Sequence, residues 1–267
     1  MLEIKKIVDE VSKSRKYRNL CADTITRVAQ KESLKSKKEK EIIKSTKNKL
    51  HQIYGAYTSK TNFDLSLSML ENNLSNPEKF REACKQILNM HKSTKERVPI
   101  LDDFYKKIFQ ITGNPKSVLD LACGLNPLSL PWMELDPKAE YIGYDIDKTQ
   151  IDFLNKFLSL CHPAGKAKMH DIISNPPQEK SDVAFLLKTV TCLERQEAGI
   201  ASKIIEILKS KYVVVSFPTR SISGKSSLGF YEEYFNEHLK QKNWLLEKLE
   251  FPTELVFVIE KETAEQG

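Results

Sequence analysis

Histidine and cysteine are both scarce in this chain, and neither type is clustered. The 267 residues include five of each. No two cysteines form a Cys-x-x-Cys pair, so a zinc site is not expected. No apolar run approaches the ~20 residues of a membrane span, and the charged N-terminus lacks the apolar core of a signal peptide. We therefore expect a protein of a reducing cytoplasm, with no metal and no membrane partner.

Glycine is sparse in the most informative segment, residues 118–127, which read Val-Leu-Asp-Leu-Ala-Cys-Gly-Leu-Asn-Pro. The apolar residues predict a buried strand, Gly124 predicts a tight turn, and Asn126-Pro127 is typical of a helix start. The dinucleotide fingerprint needs three glycines to approach a pyrophosphate. A single glycine therefore favours a nucleoside cofactor without phosphates, S-adenosyl-L-methionine (SAM). The alternative is an ordinary parallel α/β domain with an acid at a strand end.

Acidic residues recur near the ends of the predicted strands. Asp145 ends the second strand about 20 residues after the glycine turn, the separation typical of an acid that binds ribose hydroxyls. Asp171 follows the third strand and could accept a hydrogen bond from an adenine amino group, while Leu187 in the fourth strand could pack on the ring. Gln196 could reach the same pocket from the following helix. Asp120 and Asp145 also provide carboxylates for the sulfonium end of SAM.

The pattern of helices and strands divides the chain in two. Residues 1–90 show only helical patterns, whereas strands and helices alternate from residue 118 onwards. This succession predicts an α/β fold with a mostly parallel seven-stranded sheet, an antiparallel last strand and ligands at the carboxyl ends of the strands. We assign residues 1–90 to a helical N-terminal domain and residues 91–267 to a cofactor-binding domain. Helices are predicted at 24–31 (capped by Asp23), 36–57, 77–90, 148–160, 193–209 and 228–240.

Positive charge is concentrated at the front of the chain. Residues 1–60 hold 16 Lys or Arg and 7 Asp or Glu, which gives +9, although the whole chain carries +6. Within the predicted helix at 36–57, four lysines follow at helical spacing: Lys37, Lys40, Lys44 and Lys47. This stripe is a candidate contact for an RNA backbone, supported by Arg15, Lys16, Arg18 and Arg27. A solvated lysine face is the alternative.

Two motifs match the catalytic motifs of certain methyltransferases only in part. The Asn-Pro-Pro sequence at 175–177 lacks the aromatic residue with which amine-methylating enzymes stack the target base, so a plain loop is the better interpretation. Cys192 follows the fourth strand, where cytosine-C5 methyltransferases place a nucleophile. A small buried cysteine is the commoner role, and no neighbour in sequence except Lys188 could lower its pKa.

A dense polar cluster lies at residues 91–97, His-Lys-Ser-Thr-Lys-Glu-Arg, and a basic loop at 216–225 leaves the fifth strand. Arg97 could pair with the SAM carboxylate through its guanidinium fork, although Ser93 or Thr94 could simply cap a helix. The basic loop is well placed to meet a base that enters the cofactor pocket.

Taken together, these segments resemble the aminoglycoside-resistance 16S ribosomal RNA (guanine-N7) methyltransferases of the Arm/Rmt type. The resemblance rests on six stretches in the right order: Lys16-Tyr17, Lys-Leu-His-Gln-Ile-Tyr-Gly-Ala-Tyr at 49–57, the polar cluster at 91–97, Leu-Asp-Leu-Ala-Cys-Gly-Leu-Asn-Pro at 119–127, Leu-Glu-Arg-Gln at 193–196 and Ser-Phe-Pro-Thr-Arg-Ser-Ile-Ser-Gly at 216–224. It implies a Rossmann-like SAM-dependent domain, a helical RNA-docking domain at residues 1–90, and the decoding A site of the assembled 30S subunit as substrate. We expect a monomer.

The resemblance also implies roles for individual residues. The SAM pocket would use the backbone turn at Gly124 together with Tyr57, His91, Lys92, Ser93, Arg97, Ala122, Asp145, Asp171, Ile172, Leu187 and Gln196. Lys188 would lie near the target base and position it. Arg220, Lys225 and Glu254 match family positions near the RNA, and Phe230 would lie near the flipped base. The charge pattern of the N-terminal helices adds Lys16, Arg18, Lys40, Lys44 and Lys47 as RNA contacts. The chain departs from the family at Gly-Phe-Tyr (229–231), where Gly-Met-Glu is usual, and at Thr-Val-Thr-Cys (189–192).

The chemistry agrees with the lack of an obvious catalytic base. Guanine N7 carries a free lone pair, so no proton has to leave before it attacks, and catalysis would come from proximity and orientation. Two alternatives remain open: a SAM-dependent RNA methyltransferase that modifies another base or atom, such as adenine N1, or a non-catalytic RNA-binding module.

Overall fold

The computed structural model describes residues 4–54, 61–219, 233, 242 and 244–261. The helix expected at 228–240 therefore lies outside the described residues apart from Glu233. In the described ranges, no helix has both the length and the apolar composition needed to cross a membrane. Nor do the described side chains bring three or more His, Cys, Asp or Glu together in a way that could hold a metal ion.

Helices make up the first part of the chain. In chain order they are α1 (Ile4–Ser12), α2 (Ala22–Ser33), α3 (Glu39–Tyr54), α4 (Phe63–Asn73), α5 (Pro77–Leu88), α6 (Lys92–Lys95) and α7 (Leu101–Thr112), with a short 3₁₀ turn at Val98–Ile100. α5 begins as predicted, since Asn76 caps it by accepting a hydrogen bond from the Lys79 amide. Asp23 does not cap α2, because the helix starts at Ala22, two residues earlier than predicted, and Asp23 lies in its first turn.

The remaining elements alternate as the sequence predicts. They are β1 (Ser117–Leu121), a 3₁₀ turn (Asn126–Ser129), α8 (Leu130–Met133), β2 (Glu140–Asp145), α9 (Lys148–Cys161), β3 (Gly165–Met169), β4 (Lys180–Leu187), α10 (Val190–Glu194), α11 (Ile200–Ile207), β5 (Lys209–Pro218), β6 (Leu245–Glu250) and β7 (Glu254–Glu260). The single helix expected at 193–209 is instead two helices. Residues 195–199 separate them, and Gly199, with a left-handed φ of +75°, directly precedes α11.

The seven strands form one sheet in the order β3-β2-β1-β4-β5-β7-β6. β1 to β5 pair in parallel, whereas β7 runs antiparallel to both β5 and β6. The antiparallel last strand is confirmed, but the sheet is mixed rather than mostly parallel. The reason is that β6 and β7 form a hairpin, and a hairpin reverses the chain direction.

Both faces of the sheet are covered, because side chains alternate along each strand. In β4, Phe185 points to the face that α5, α7 and α9 cover, whereas its neighbours Ala184 and Leu186 point to the face that α10 and α11 cover. This arrangement brings the carboxyl ends of the central strands, with their polar loops, to one edge of the sheet.

The helices within residues 1–90 contribute to two separate apolar clusters. α4 and α5 belong to the core of the sheet: Phe63 stacks on Phe153 of α9 at 4.7 Å, and Phe80 stacks on Phe157 at 6.1 Å. α1 to α3 bury a separate apolar cluster that includes Ile7. The cores therefore change between α3 and α4, because the apolar faces of α4 and α5 pack against α9.

Candidate functional site

A cavity of about 200 Å³ opens at the carboxyl ends of the parallel strands. Ten of the predicted site residues line it: His91, Ser93, Ala122, Gly124, Asp145, Asp171, Ile172, Leu187, Lys188 and Gln196. Residues far apart in sequence thus converge where the strand ends predict a ligand. Tyr57 lies outside the described residues, and so does the side chain of Lys92.

The turn after β1 has the geometry expected from its single glycine. Ala122 and Gly124 both have left-handed backbones, with φ of +51° and +53°. The Gly124 amide donates a 2.9 Å hydrogen bond to Asp145 Oδ2. Asp145 Oδ1 accepts from the amides of Ile146, at 2.7 Å, and Asp147, at 3.3 Å. Burial raises the pKa of Asp145, while these amides act in the opposite direction. The loop therefore fixes the carboxylate at the cavity wall.

Asp171 is held by hydrogen bonds on both of its oxygens. Oδ1 accepts from the amides of Ile173, at 2.9 Å, and Ser174, at 3.1 Å. Oδ2 accepts from Arg27 Nε at 3.0 Å and from another guanidinium nitrogen of Arg27 at 2.9 Å. Burial alone would raise the pKa of Asp171, but the Arg27 charge and these hydrogen bonds lower it. Asp171 is therefore a buried, ionised acceptor.

The N-terminal helices form part of the cavity wall, which the sequence did not reveal. Thr24 and Arg27 of α2 and Ile53 and Tyr54 of α3 line it, and the Tyr54 hydroxyl donates to Asp147. Arg27, expected on the RNA-facing surface, has a side chain only 12% exposed and points inward to Asp171. No local signal could place it there, because the two partners are 144 positions apart.

Lys188 lies at the end of β4 in a left-handed conformation, with φ of +57°. Its Nζ donates to the Ser93 carbonyl at 3.0 Å and to Glu96 Oε2 at 2.7 Å, and lies 3.1 Å from Glu254 Oε1. The side chain is only 6% exposed. The ammonium group is therefore fixed between two carboxylates beside the cavity. The sequence missed Glu96 as one of its partners.

Two expected site residues are placed elsewhere. Arg97 is buried and does not line the cavity. It donates to Asn126 Oδ1 at 2.6 Å and to Glu254 Oε2 at 2.9 Å. Glu254 was expected near the RNA, but it has no exposed surface. A carboxylate without exposed surface needs cationic partners, because an unpaired buried charge is strongly destabilising. Glu254 thus cannot contact RNA in this conformation.

The predicted RNA-binding residues of the N-terminal helices are mostly on the surface. Lys16, Arg18, Lys40 and Lys44 are exposed, and Lys47 is half-buried. The buried stripe of α3 runs through Ile42, Thr46 and Leu50, and Ile43 and Ile53 are partly buried against the same cluster. Arg220, Lys225 and Phe230 lie outside the described residues.

The two partial motifs have ordinary surroundings. Cys192 lies in α10 and lines the cavity as a half-buried thiol. Asn175 is exposed in a segment without helix or strand, and its carbonyl accepts a hydrogen bond from His170 Nε2. The loop interpretation of 175–177 agrees with this geometry.

Comparison with known proteins gives the same picture for almost the whole chain. Residues 13–258 match the family described as ribosomal RNA methyltransferase (FmrO). A 16S rRNA (guanine(1405)-N(7))-methyltransferase of Micromonospora echinospora is 34% identical over 266 residues, covering 97% of both chains.

Solved structures agree in fold. The 16S rRNA methylase RmtB superimposes with a TM-score of 0.83 at 30% identity, covering 98% of this chain and 100% of RmtB. The 16S rRNA methyltransferase RmtF, in complex with S-adenosyl-L-homocysteine, gives 0.84 at 27% identity, covering 98% of this chain and 99% of RmtF. Both superpositions therefore include almost the whole of this chain. The chain belongs to the ribosomal RNA methyltransferase (FmrO) family.

Proposed function

We propose that this protein is a SAM-dependent methyltransferase that methylates guanine N7 in 16S ribosomal RNA. The observation that supports this most is the cavity at the strand ends, where Asp145 is fixed by the amide of the glycine turn. The chain's membership of the rRNA methyltransferase family supports the same substrate class.

The residues of the cavity fit a nucleoside cofactor without phosphates. Arg27 and Lys188 are the Lys or Arg side chains among the described lining residues, and both are paired with carboxylates. Within that described lining, no free cation is therefore offered to a pyrophosphate. Asp145 would hold the ribose hydroxyls, and Asp171 would accept from the adenine amino group. Ile172 and Leu187 provide apolar faces for the ring.

The remaining cofactor residues would hold the methionine end. His91 and Ser93 line the same cavity, and their side chains hydrogen-bond each other at 2.8 Å. When bound, SAM supplies a methyl group on a positively charged sulfur. The protein's own contribution is to hold guanine N7 in line with that group, because N7 needs no general base. Lys188 beside the cavity would position the base after it leaves its helix.

The finer assignments follow from the same family resemblance. We propose the decoding A site of the assembled 30S subunit as the substrate, a monomeric enzyme of the bacterial cytoplasm, and docking of rRNA phosphates on the lysines of α3. Methylation would place a positive charge on the base and remove a hydrogen-bond acceptor. A polycationic aminoglycoside would then be repelled and would have one hydrogen bond fewer to the RNA, which would confer resistance.

The test is to map the methyl group. Purified 30S subunits and free 16S rRNA would each be incubated with the enzyme and isotopically labelled SAM, and the RNA fragments analysed by mass spectrometry. We expect 7-methylguanine in the 30S subunits and much less in free rRNA. Asp145→Ala should weaken SAM binding by roughly 1–3 kcal/mol, the cost of unpaired hydrogen-bonding partners.

Other outcomes would lead to the alternatives. Label at adenine N1 would keep the cofactor site and overturn the N7 assignment. Absence of label, with SAM binding measured by calorimetry, would favour an RNA-binding module. Unchanged SAM affinity in a folded Asp145→Ala variant would overturn the ribose assignment.

A further inference from the structure

Arg27 joins the N-terminal helices to two residues of the cofactor cavity at once. Besides the two hydrogen bonds to Asp171 Oδ2, it donates a 2.8 Å hydrogen bond to Gln196 Oε1. Its side chain is 12% exposed and Asp171 is 2% exposed. Removal of either partner from such a buried ion pair destabilises a protein, because the remaining charge is then buried without a counter-charge.

The helix that carries Arg27 is anchored on both sides of the cavity. Lys31 of the same helix bonds the Gln196 carbonyl at 3.2 Å and Glu197 at 2.6 Å. At the other end, the amide of Cys21 donates to the Ile146 carbonyl at 2.8 Å, next to Asp145. The position of Arg27 relative to the cavity is therefore set by the backbone of α2.

The surroundings of Asp171 restrict its carboxylate to accepting hydrogen bonds. A carboxylate has about four acceptor sites, and four N–H groups already point at the two oxygens. Held ionised, Asp171 can only accept hydrogen bonds. It suits a purine with an amino group at position 6 and repels one with a carbonyl oxygen there. An incoming 6-amino group must displace part of the Arg27 contact with Asp171 Oδ2. Arg27 then keeps its hydrogen bond to Gln196 Oε1.

We propose that Arg27 is a positioning residue of the cofactor site, through which helix α2 makes Asp171 selective for the 6-amino group of adenine. This inference rests on the proposed function, in which Asp171 faces the adenine of SAM. Its consequence is that purine selectivity depends on an arginine of the N-terminal helices as well as on the strand-end residues.

The test compares two ligands that differ only at purine position 6. Calorimetry would measure S-adenosyl-L-homocysteine and S-inosyl-L-homocysteine, in which oxygen replaces the amino group, with the full-length protein. The wild type should prefer the adenosyl compound. In Arg27→Ala, adenosyl affinity should fall about tenfold while inosyl affinity changes little, so the preference shrinks. Arg27→Lys, which keeps the charge but not the fork, should restore part of it.

The matched control is Lys31→Ala, which removes another cationic contact of α2 with the same wall but none with Asp171. It should leave the ratio of the two affinities unchanged. If Arg27→Ala weakens both ligands equally, Arg27 has only a structural role and the inference is wrong. Circular dichroism would establish that each variant folds, and Arg27→Lys carries the test if the alanine variant does not.

Asp171→Asn separates this inference from the function on which it rests. If Asp171→Asn abolishes the preference while Arg27→Ala leaves it intact, Asp171 recognises adenine without help from Arg27, and only the inference fails. If the wild type shows no preference, or Asp171→Asn retains it, the assignment of Asp171 to adenine is wrong and the inference falls with it.

Discussion

Lys188 and Glu254 form a buried ion pair, with Nζ 3.1 Å from Oε1, which spans β5 from the end of β4 to the start of β7. The same carboxylate contacts Arg97 at 2.9 Å and accepts a 2.9 Å hydrogen bond from the Ser216 hydroxyl. One buried acid thus balances two cations and holds the Lys188 ammonium group beside the cavity. The antiparallel strand therefore contributes to the site through a residue that never reaches the surface.

Removal of this acid should destabilise the protein strongly. Glu254→Gln keeps the shape but leaves Arg97 and Lys188 without their shared counter-charge, and we expect a loss of about 3–5 kcal/mol in the free energy of unfolding. Urea denaturation measures it. The control is Glu250→Gln on the same hairpin, whose exposed pair with Lys248 should contribute about 0–1 kcal/mol. If both substitutions lower the free energy of unfolding equally, the buried ion pairs of Glu254 contribute no more to stability than the exposed pair does.

Two substitutions in the left-handed turn after β1 should change the stability of the protein in opposite directions. Ala122 adopts φ of +51°, so Ala122→Gly should relieve strain and stabilise the protein by about 0.5–1 kcal/mol. Gly124→Ala should destabilise it by about 1 kcal/mol, since φ is +53° although an added Cβ would meet only His91, at 3.7 Å. The midpoints of urea unfolding would show both shifts.

Gly113 supplies the control for the effect on the cofactor. It has open space around it, but its φ of 72° and ψ of 171° are essentially restricted to glycine, so Gly113→Ala should cost at least as much stability, about 1–3 kcal/mol. Only Gly124→Ala should also weaken SAM binding, measured by calorimetry, because Gly124 lines the cavity. A similar effect of both variants on SAM affinity would mean that the turn acts only through stability.

The lysine stripe of α3 should act on rRNA binding and not on the cofactor. Replacing Lys40, Lys44 and Lys47 with glutamate should leave SAM affinity intact, weaken binding to the 30S subunit and flatten its salt dependence. The slope should fall by about one for each phosphate that is no longer neutralised. Filter binding at several salt concentrations would measure it.

A matched triple variant controls for net charge alone. Lys138, Lys156 and Lys166 are exposed lysines of the α/β part, and glutamate there changes the total charge equally. If both triple variants weaken subunit binding to the same extent, the stripe is only a solvated face, and docking must be sought at Arg15 and Arg18.

Cys192 should be dispensable for catalysis. Cys192→Ala should keep methyl transfer in single-turnover assays, because attack by guanine N7 needs no enzyme thiolate. Lys188→Ala is the contrasting variant. It should bind the subunit nearly normally and lose methyl transfer, because the group that we propose to position the target base is gone. Loss of activity in folded, SAM-binding Cys192→Ala protein would instead revive a cytosine-C5 mechanism.

Local features of the fold could be read directly from the sequence. The turn at Gly124, the carboxylate at Asp145 and the seven strands follow from residue types at short spacing, because strand periodicity and turn chemistry are local properties. The full burial of Ile42 in α3 was not predicted, since which residues of a helix are buried depends on how α1 and α2 pack against it.

Only the tertiary structure decided which charges meet. The pairs Arg27–Asp171 and Arg97–Glu254 join residues 144 and 157 positions apart. No periodicity carries that information, because a long side chain on a helix can point to solvent or inward with the same local pattern. Folding reassigned Arg27 from an expected RNA contact to the cofactor cavity, and Glu254 from the surface to the interior. It did so because buried charges are stable only when opposite charges are packed beside them.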